Sequence, residues 1–215
     1  MSEPEHLRPG PERLAFEQAS DGLIQVGRRL WQQGLCPATS SNFSRRLDHE
    51  RCAITVSGRD KGNLQRSDIM LVDLDGRSLD GQKPSAETLL HTGLYRRDPS
   101  IGAVLHTHSV KAALVSMHVS GPVVLEGLEL LKALDGIKTH QSRLEIPVFD
   151  NTQDIAALAA EVGQWMDSHG TAHAYLIRGH GLYSWGKDLD ETLRHIEALE
   201  YLLDYKWHQM QYQRA

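Results

Sequence analysis

Two histidines separated by one residue, His106 and His108, have the spacing in this 215-residue chain that most directly suggests chemistry. On a helix, such positions point about 200° apart, so one ion could not bind both side chains. On a strand they lie on the same face and can converge on one ion. Small and apolar residues, Gly102 to Leu105, precede the pair. We therefore predict a buried strand that ends in two ligands of a three-histidine metal site.

His180 is predicted as the third ligand because Gly179 and Gly181 flank it directly after the apolar segment 174–177. Glycine lets the backbone turn tightly and approach a ligand closely. Three neutral imidazoles that leave one coordination position open suit a catalytic divalent metal. Other histidines could compete for the third place and are interpreted instead as surface or helix-face residues: His91, His140 and His173.

Three segments carry the small hydroxyl, amide and glycine groups that form anion-binding sites, namely 40–44, Ser57-Gly58 and Ser85. Each segment alone is typical of an ordinary turn or helix cap. The chain contains neither a P-loop motif nor the glycine motif of dinucleotide-binding folds, so a nucleotide ligand is not indicated.

The hydrophobic pattern predicts strands and helices that interleave along the chain, which favours a sheet covered by helices. Helices are predicted over 12–33 with a cap at Gly34, over 85–97 with Ser85 as N-cap, over 109–117, from 155 to near Gly170, and from 189 after an Asp188 cap. Strands are predicted over 53–56, 69–74, 102–108, 146–149 and 174–177, with a loop over 39–44 and a short helix over 126–134. We divide the chain into a flexible N-terminal arm, 1–11, and a single domain, 12–215.

Composition excludes several classes of function. The formal net charge is −5 and no block of basic residues occurs, which argues against nucleic acid or a membrane surface as a partner. No stretch approaches the ~20 apolar residues of a membrane span, and residues 1–11 lack the apolar core of a signal peptide. The two cysteines, Cys36 and Cys52, are expected to be reduced. These features favour a cytoplasmic globular protein.

Several separate motifs together resemble one known family. They are Asn42 in its small-residue loop, Ser57-Gly58, the segment 84–87, His106-Thr107-His108 and His180-Gly181. Their order and rough spacing resemble those of the class II aldolase/adducin-like family, from the first predicted helix to the last. The resemblance implies a three-layer α/β/α fold, in which helices cover a central, largely antiparallel or mixed sheet.

The resemblance also implies a site. In this family the residues matching His106, His108 and His180 bind one Zn2+ per subunit, and the loops at Asn42, Ser57, Gly58 and Ser85 hold the phosphate of a sugar-phosphate substrate. Members are commonly symmetric homotetramers with active sites at subunit contacts.

Within the family, the segments 55–62, 83–88, 129–134 and 178–186 resemble the sugar-phosphate dehydratases most closely. In those dehydratases the glutamate matching Glu129 is the proposed acid/base, whereas in the aldolases that role falls to the glutamate matching Glu87. Both carboxylates are present here, although Ala86 replaces a serine that is usual in the aldolases. The resemblance therefore favours a dehydratase, with an aldolase or epimerase as the alternative. A non-catalytic adducin-like module is disfavoured because all three histidines are present.

Overall fold

The computed structural model of this protein describes residues 10–170 and 172–213. A seven-stranded sheet lies at its centre. Its strands are β1 Asn42–Arg46, β2 Arg51–Thr55, β3 Ile69–Asp73, β4 Ala103–Thr107, β7 Val148–Phe149, β8 Ala174–Ile177 and β9 Gly181–Gly186, while β5 Val123–Glu126 and β6 Arg143–Ile146 form a separate hairpin. The seven-stranded sheet has the order β3-β2-β1-β4-β9-β8-β7. Among the described residues only the β7–β8 pair of this sheet is parallel, so the sheet is mixed and largely antiparallel, as predicted.

Helices cover both faces of this sheet. They are α1 Pro11–Gln32, α2 Thr88–Arg97, α3 Val110–His118, α4 Ile155–His169 and α5 Leu189–Tyr212, with short 3-10 helices at Arg66–Asp68 and Glu129–Ala133. Buried side chains of α1, α3 and α5 form one hydrophobic core, and those of α2 and α4 form another on the opposite face. The predicted three-layer α/β/α architecture is therefore confirmed.

Local sequence signals set several helix ends. Gly34 follows α1 with φ 75°, the left-handed conformation that a C-terminal cap requires. Ser109 and Asp188 cap α3 and α5, where their side-chain oxygens accept from the backbone N–H groups of Ala112 at 3.0 Å and Glu191 at 2.8 Å. The caps expected at Gly34 and Asp188, and the helix expected to begin near Ser109, are confirmed.

Two local predictions are wrong, one at the start of α2 and one at the start of β1. Ser85 does not cap α2, which begins at Thr88; its hydroxyl accepts instead from the backbone N–H of Glu87 at 3.3 Å, in the preceding turn. The predicted loop over 39–44 is strand from Asn42 onward, because β1 pairs with both β2 and β4. Ladder hydrogen bonds on two sides outweigh the turn preference of its small polar residues.

The predicted strand over 146–149 is two strands. Pro147 separates β6 from β7 because it has no N–H to donate to a ladder. Its carbonyl instead accepts from Leu176 at 2.9 Å, so the chain leaves the hairpin and joins the edge of the main sheet.

Cys36 and Cys52 are free and buried, as expected, and burial raises their thiol pKa values to about 11 and about 12. No helix in the described part of the chain is long and apolar enough to cross a membrane. Residues 1–9 of the predicted arm lie outside the described residues, and Pro11 is already the first residue of α1.

Antiparallel pairing brings four strand ends together at one end of the sheet. The end of β2, the start of β1, the end of β4 and the start of β9 are neighbours there, because each strand runs opposite to the next. Asn42 is the register partner of His106, and His106 is that of Tyr183. The predicted site residues on these strands therefore share one end of the sheet.

Candidate metal centre

The side chains of His106, His108 and His180 converge, with one ring nitrogen from each within 4.8 Å of the others. The Nε2 atom of His180 lies 3.4 Å from that of His106 and 3.2 Å from that of His108. Nitrogen ligands of a tetrahedral Zn2+ at 2.0–2.1 Å would be roughly 3.3 Å apart. The three histidines therefore fit a tetrahedral metal ion.

His106 is held rigidly inside the sheet. Its Nδ1 atom lies 3.0 Å from the carbonyl oxygen of Leu182 on β9, so Nδ1–H donates and Nε2 is left with its lone pair toward the other two histidines. The ring of Tyr183 stacks on the imidazole with a centroid distance of 4.0 Å and an interplanar angle of 14°. Both contacts fix the ring plane, as expected for a preorganised ligand.

His180 is carried by a turn that requires glycine on each side. Gly179 has φ 64°, in the left-handed region, and the backbone N–H of His180 donates to Ile177 at 3.0 Å. A Cβ atom on Gly181 would lie 2.1 Å from the carbonyl oxygen of Thr107 and 2.8 Å from Cε1 of His106. Glycine thus allows β9 to begin against the end of β4, which carries His106 and is followed directly by His108.

Burial keeps His106 and His108 neutral. It lowers the pKa of His108 to about 4, with further contributions from His180 and from the ammonium group of Lys61. It also lowers the pKa of His106 well below its ordinary range, helped by the neighbouring His108 and His180. Because only neutral imidazole binds a metal ion, both ligands are available at neutral pH.

Glu87 faces the same three-histidine cluster. Its Oε1 lies 3.2 Å from Nε2 of His180 and its Oε2 lies 3.7 Å from Nε2 of His106. The carboxylate is largely buried, and its Oε2 accepts from Nδ2 of Asn42 at 2.5 Å. Although Glu87 occupies the N-cap position of α2, its side chain makes no capping hydrogen bond and points to the histidines.

His91 lies on a helix face, as interpreted from the sequence, but it is not a surface residue. It lies fully buried on the inner side of α2, where Nε2 contacts Oδ1 of Asn42 and Nδ1 lies 2.7 Å from Oγ of Ser44. The Ser44 hydroxyl is in turn 2.8 Å from the Tyr95 hydroxyl. The sequence did not predict this network because its members come from separate segments. The available signal was the i+4 spacing of His91 from Glu87, which places both residues on one helix face.

The other residues predicted to bind phosphate lie around the same end of the sheet. Ser57 and Gly58 form an exposed turn directly after β2, with Gly58 at φ 71°, and Ser85 lies in the half-buried turn before α2. Lys61, to which no role was given, is almost fully buried, and its ammonium donates to the carbonyl oxygen of Arg59 at 2.6 Å and more weakly to that of Thr39 at 3.4 Å.

Glu129 lies apart from the histidine cluster within the described chain. Its carboxylate is 68% exposed, forms an ion pair with Lys132, and lies 3.6 Å from Nδ1 of His140. The Lys132 hydrogen bond lowers the pKa of this carboxyl group below its ordinary value. Its short helix packs on α5, where the carbonyl oxygen of Ala133 accepts from Arg194 at 3.0 Å. One chain therefore brings Glu87, but not Glu129, to the three histidines.

The two other candidate ligands also lie elsewhere. His140 is exposed beside Glu129, and Nε2 of His173 donates to the carbonyl oxygen of Asp135 at 2.7 Å. The ring of His173 packs against His195 at a centroid distance of 5.8 Å. Neither belongs to the cluster around His180.

The fold and this site define the class to which the chain belongs. It is a member of the class II aldolase and adducin N-terminal domain family, whose sequence profile matches residues 21–207. The fold is that of L-fuculose-1-phosphate aldolase from Thermus thermophilus, with a TM-score of 0.73 and 29% identity over 94% of this chain and 98% of that one.

Similarity is much higher to one group of enzymes within this family. The chain is 58% identical to the methylthioribulose-1-phosphate dehydratase of Methylococcus capsulatus over 88% of this chain and 93% of that protein. It is 56% identical to the methylthioribulose-1-phosphate dehydratase of Alcanivorax borkumensis over 90% of this chain and 94% of that protein.

Proposed function

We propose that this chain is a lyase that dehydrates 5-methylthioribulose 1-phosphate to 2,3-diketo-5-methylthiopentyl 1-phosphate and water in methionine salvage. The observation that carries the proposal is the identity of 58% with a methylthioribulose-1-phosphate dehydratase over nearly the whole chain. The convergence of His106, His108 and His180 supports it, because the reaction needs strong charge stabilisation beside the substrate carbonyl.

The proposed cofactor is one Zn2+ per subunit, held by His106, His108 and His180. Three imidazole nitrogen donors, with Nε2 of His180 at tetrahedral spacing from those of His106 and His108, suit zinc. When bound, the ion would supply Lewis-acid polarisation of the substrate oxygens. The protein contributes converging ligands, one of which, His106, is oriented by the Leu182 carbonyl and the Tyr183 ring.

Dehydration requires two proton movements at adjacent carbons. A base removes the proton from C3, next to the C2 carbonyl, and the C4 hydroxyl then leaves with a proton as water. The resulting enol takes up a proton at C4, loses its hydroxyl proton and becomes the 3-keto group of the product. We assign the acid/base role to Glu129, which would accept the C3 proton and return one to the departing hydroxyl, typically a contribution of ~10²–10⁴-fold.

Glu129 would act across a subunit contact in this proposal, because its own chain holds it away from the three histidines. A cytoplasmic homotetramer of the kind expected from sequence would bring it to a neighbouring metal site. Exposed apolar side chains are available for such contacts: Val110, Met117, Tyr201 and Tyr205. Trp207 is only partly buried against the intrachain core. Light scattering should give four subunits, and a fully active monomer would contradict this assembly.

The phosphate is assigned to the turn at Ser57 and Gly58 together with Ser85 and Asn42. The exposed turn after β2 and the half-buried Ser85 can offer hydroxyl and backbone N–H donors to an anion. Asn42 uses Oδ1 on His91 and one N–H on Glu87, so its part in phosphate binding is proposed from the family resemblance. These contacts hold the substrate in register far from the reacting carbons.

An aldolase or epimerase acting on a sugar phosphate is the second candidate. Its supporting observation is that Glu87, the family's aldolase acid/base, lies within 3.7 Å of two of the histidines. Product analysis separates the two reactions, because an aldolase yields two smaller fragments and an epimerase yields an isomer. An active Glu129→Gln variant beside an inactive Glu87→Gln variant would move the chemistry to this second candidate.

A non-catalytic adducin-like role would require that the histidine cluster bind no metal. Metal analysis of the purified protein tests this directly, with about one divalent ion per chain expected. The activity itself is tested with 5-methylthioribulose 1-phosphate by following the formation of the dehydrated product and comparing the zinc-loaded protein with the chelator-treated protein.

A further inference from the structure

A continuous chain of hydrogen bonds runs from the histidine cluster into the core between α2 and the sheet. It begins at Oε2 of Glu87, which accepts from Nδ2 of Asn42 at 2.5 Å, and passes from Oδ1 of Asn42 to Nε2 of His91. From Nδ1 of His91 it continues to Ser44 at 2.7 Å and to Tyr95 at 2.8 Å. All members except Glu87 are buried.

The carboxylate at one end fixes the direction of every bond in this chain. A carboxylate oxygen only accepts, so Asn42 must turn its amide nitrogen to Glu87 and its amide oxygen to His91. His91 must then carry its proton on Nε2, which leaves Nδ1 as an acceptor for the Ser44 hydroxyl. Because that hydroxyl has one proton, the Tyr95 hydroxyl donates to Ser44 in turn.

We propose that His91 is a positioning residue for the site, and that its Nε2–H tautomer fixes the Asn42 amide and thereby holds the Glu87 carboxylate toward the three histidines. With the proton on Nδ1 instead, Nε2 would present a lone pair to Oδ1 of Asn42. The amide would then rotate by 180° and turn its oxygen to the Glu87 carboxylate, which would move away from the histidines. This inference rests on the proposed function for its effect on turnover, although the tautomer itself does not depend on it.

The surroundings of His91 hold it in one neutral form. Burial lowers the pKa of this imidazole to about 3, so it stays uncharged over the working pH range. The edge of its ring faces Tyr183 at a centroid distance of 5.6 Å and an interplanar angle of 72°, the same tyrosine that stacks on His106. The hydrogen-bond chain and the ring packing thus constrain the same imidazole.

The tautomer can be measured directly by long-range ¹H–¹⁵N NMR on metal-free protein labelled with ¹⁵N-histidine. The His91 signals are identified by their loss in the His91→Gln variant. We expect the pattern of a neutral imidazole with hydrogen on Nε2, and a shift of the Nδ1 resonance in Ser44→Ala, where the hydroxyl donor is lost. A charged ring or an Nδ1–H tautomer in the wild type would overturn the proposal.

Two variants separate the Nε2–H donor from the mere presence of a polar side chain. The glutamine of His91→Gln would reach Asn42 with an amide N–H near the Nε2 position, whereas the shorter side chain of His91→Asn would reach only the Ser44 side. We expect kcat of His91→Asn to fall on the order of 10-fold or more below that of His91→Gln, with KM nearly unchanged. Zinc affinity should likewise be lower in His91→Asn than in His91→Gln.

Equal turnover and zinc affinity in His91→Gln and His91→Asn would also overturn the proposal, provided that both variants melt within a few degrees of each other. If the wild type fails to dehydrate 5-methylthioribulose 1-phosphate, the proposed function fails, but the NMR and zinc measurements still decide the role of His91.

Discussion

Replacing His91 by glutamine should change how the stability of the protein depends on pH. The pKa of this histidine is about 3 in the folded protein, below the ordinary value of 6.5 that it regains on unfolding. As the pH falls below about 6.5, His91 therefore becomes protonated in the unfolded chain but stays neutral in the folded protein. His91 therefore lowers the free energy of unfolding of the wild type increasingly as the pH falls from about 6.5 to about 3. Glutamine does not titrate in this range and removes this effect.

The size of the effect follows from the same two pKa values. Each pH unit between them costs about 1.4 kcal/mol of folding free energy. At about pH 5, roughly 1.5 units below the unfolded pKa, the loss is about 2 kcal/mol. Between about pH 7.5 and about pH 5, the free energy of unfolding should therefore fall by about 2 kcal/mol more in the wild type than in His91→Gln.

The assay is urea unfolding followed by circular dichroism at several pH values, with a chelator present and the protein concentration held constant. The other buried histidines titrate in both proteins, so the difference between the two curves isolates His91. Parallel curves for wild type and variant would refute the reasoning, because they would mean that His91 is charged or open to solvent in the folded state.

Three further changes test the site. Glu129→Gln should lower turnover by about 10²-fold or more at unchanged metal content. The matched control is Glu126→Gln, which removes an exposed carboxylate of the nearby hairpin and should leave turnover unchanged. Equal activity of the two variants would show that Glu129 is not the acid/base. His180→Ala should lose most of its metal by elemental analysis, and full retention would exclude this residue as a ligand. Gly181→Ala should also lose metal, because its Cβ would lie 2.1 Å from the carbonyl oxygen of Thr107, between His106 and His108. A Cβ at Gly93 would meet no atom within 4 Å, so Gly93→Ala should retain its metal.

Much of the fold could be predicted because local signals and tertiary packing agree. The period of α1, the cap at Asp188 and the apolar strand before His180 all lie where the sequence placed them. Asn42 shows the opposite case: its small polar neighbours favour a turn, but pairing with two strands makes it part of the sheet. Such pairing is not encoded within the segment itself.

The site was predicted only as far as its motifs are contiguous or familiar. The histidines and glycines carry a readable pattern, since a strand must place His106 and His108 on one face. The role of His91 depends on a serine and a tyrosine that meet it only after α2 packs on the sheet. Whether Glu129 reaches a metal site depends on subunit contacts, which lie outside the geometry of one chain.

Mass spectrometry of the product from 5-methylthioribulose 1-phosphate tests the central claim most directly. The purified, zinc-loaded protein should convert this substrate into a single phosphate ester lighter by one water, and the reaction should stop when the metal is removed. Cleavage into two smaller fragments, or an unchanged substrate with one metal ion bound per chain, would contradict the assignment as a dehydratase.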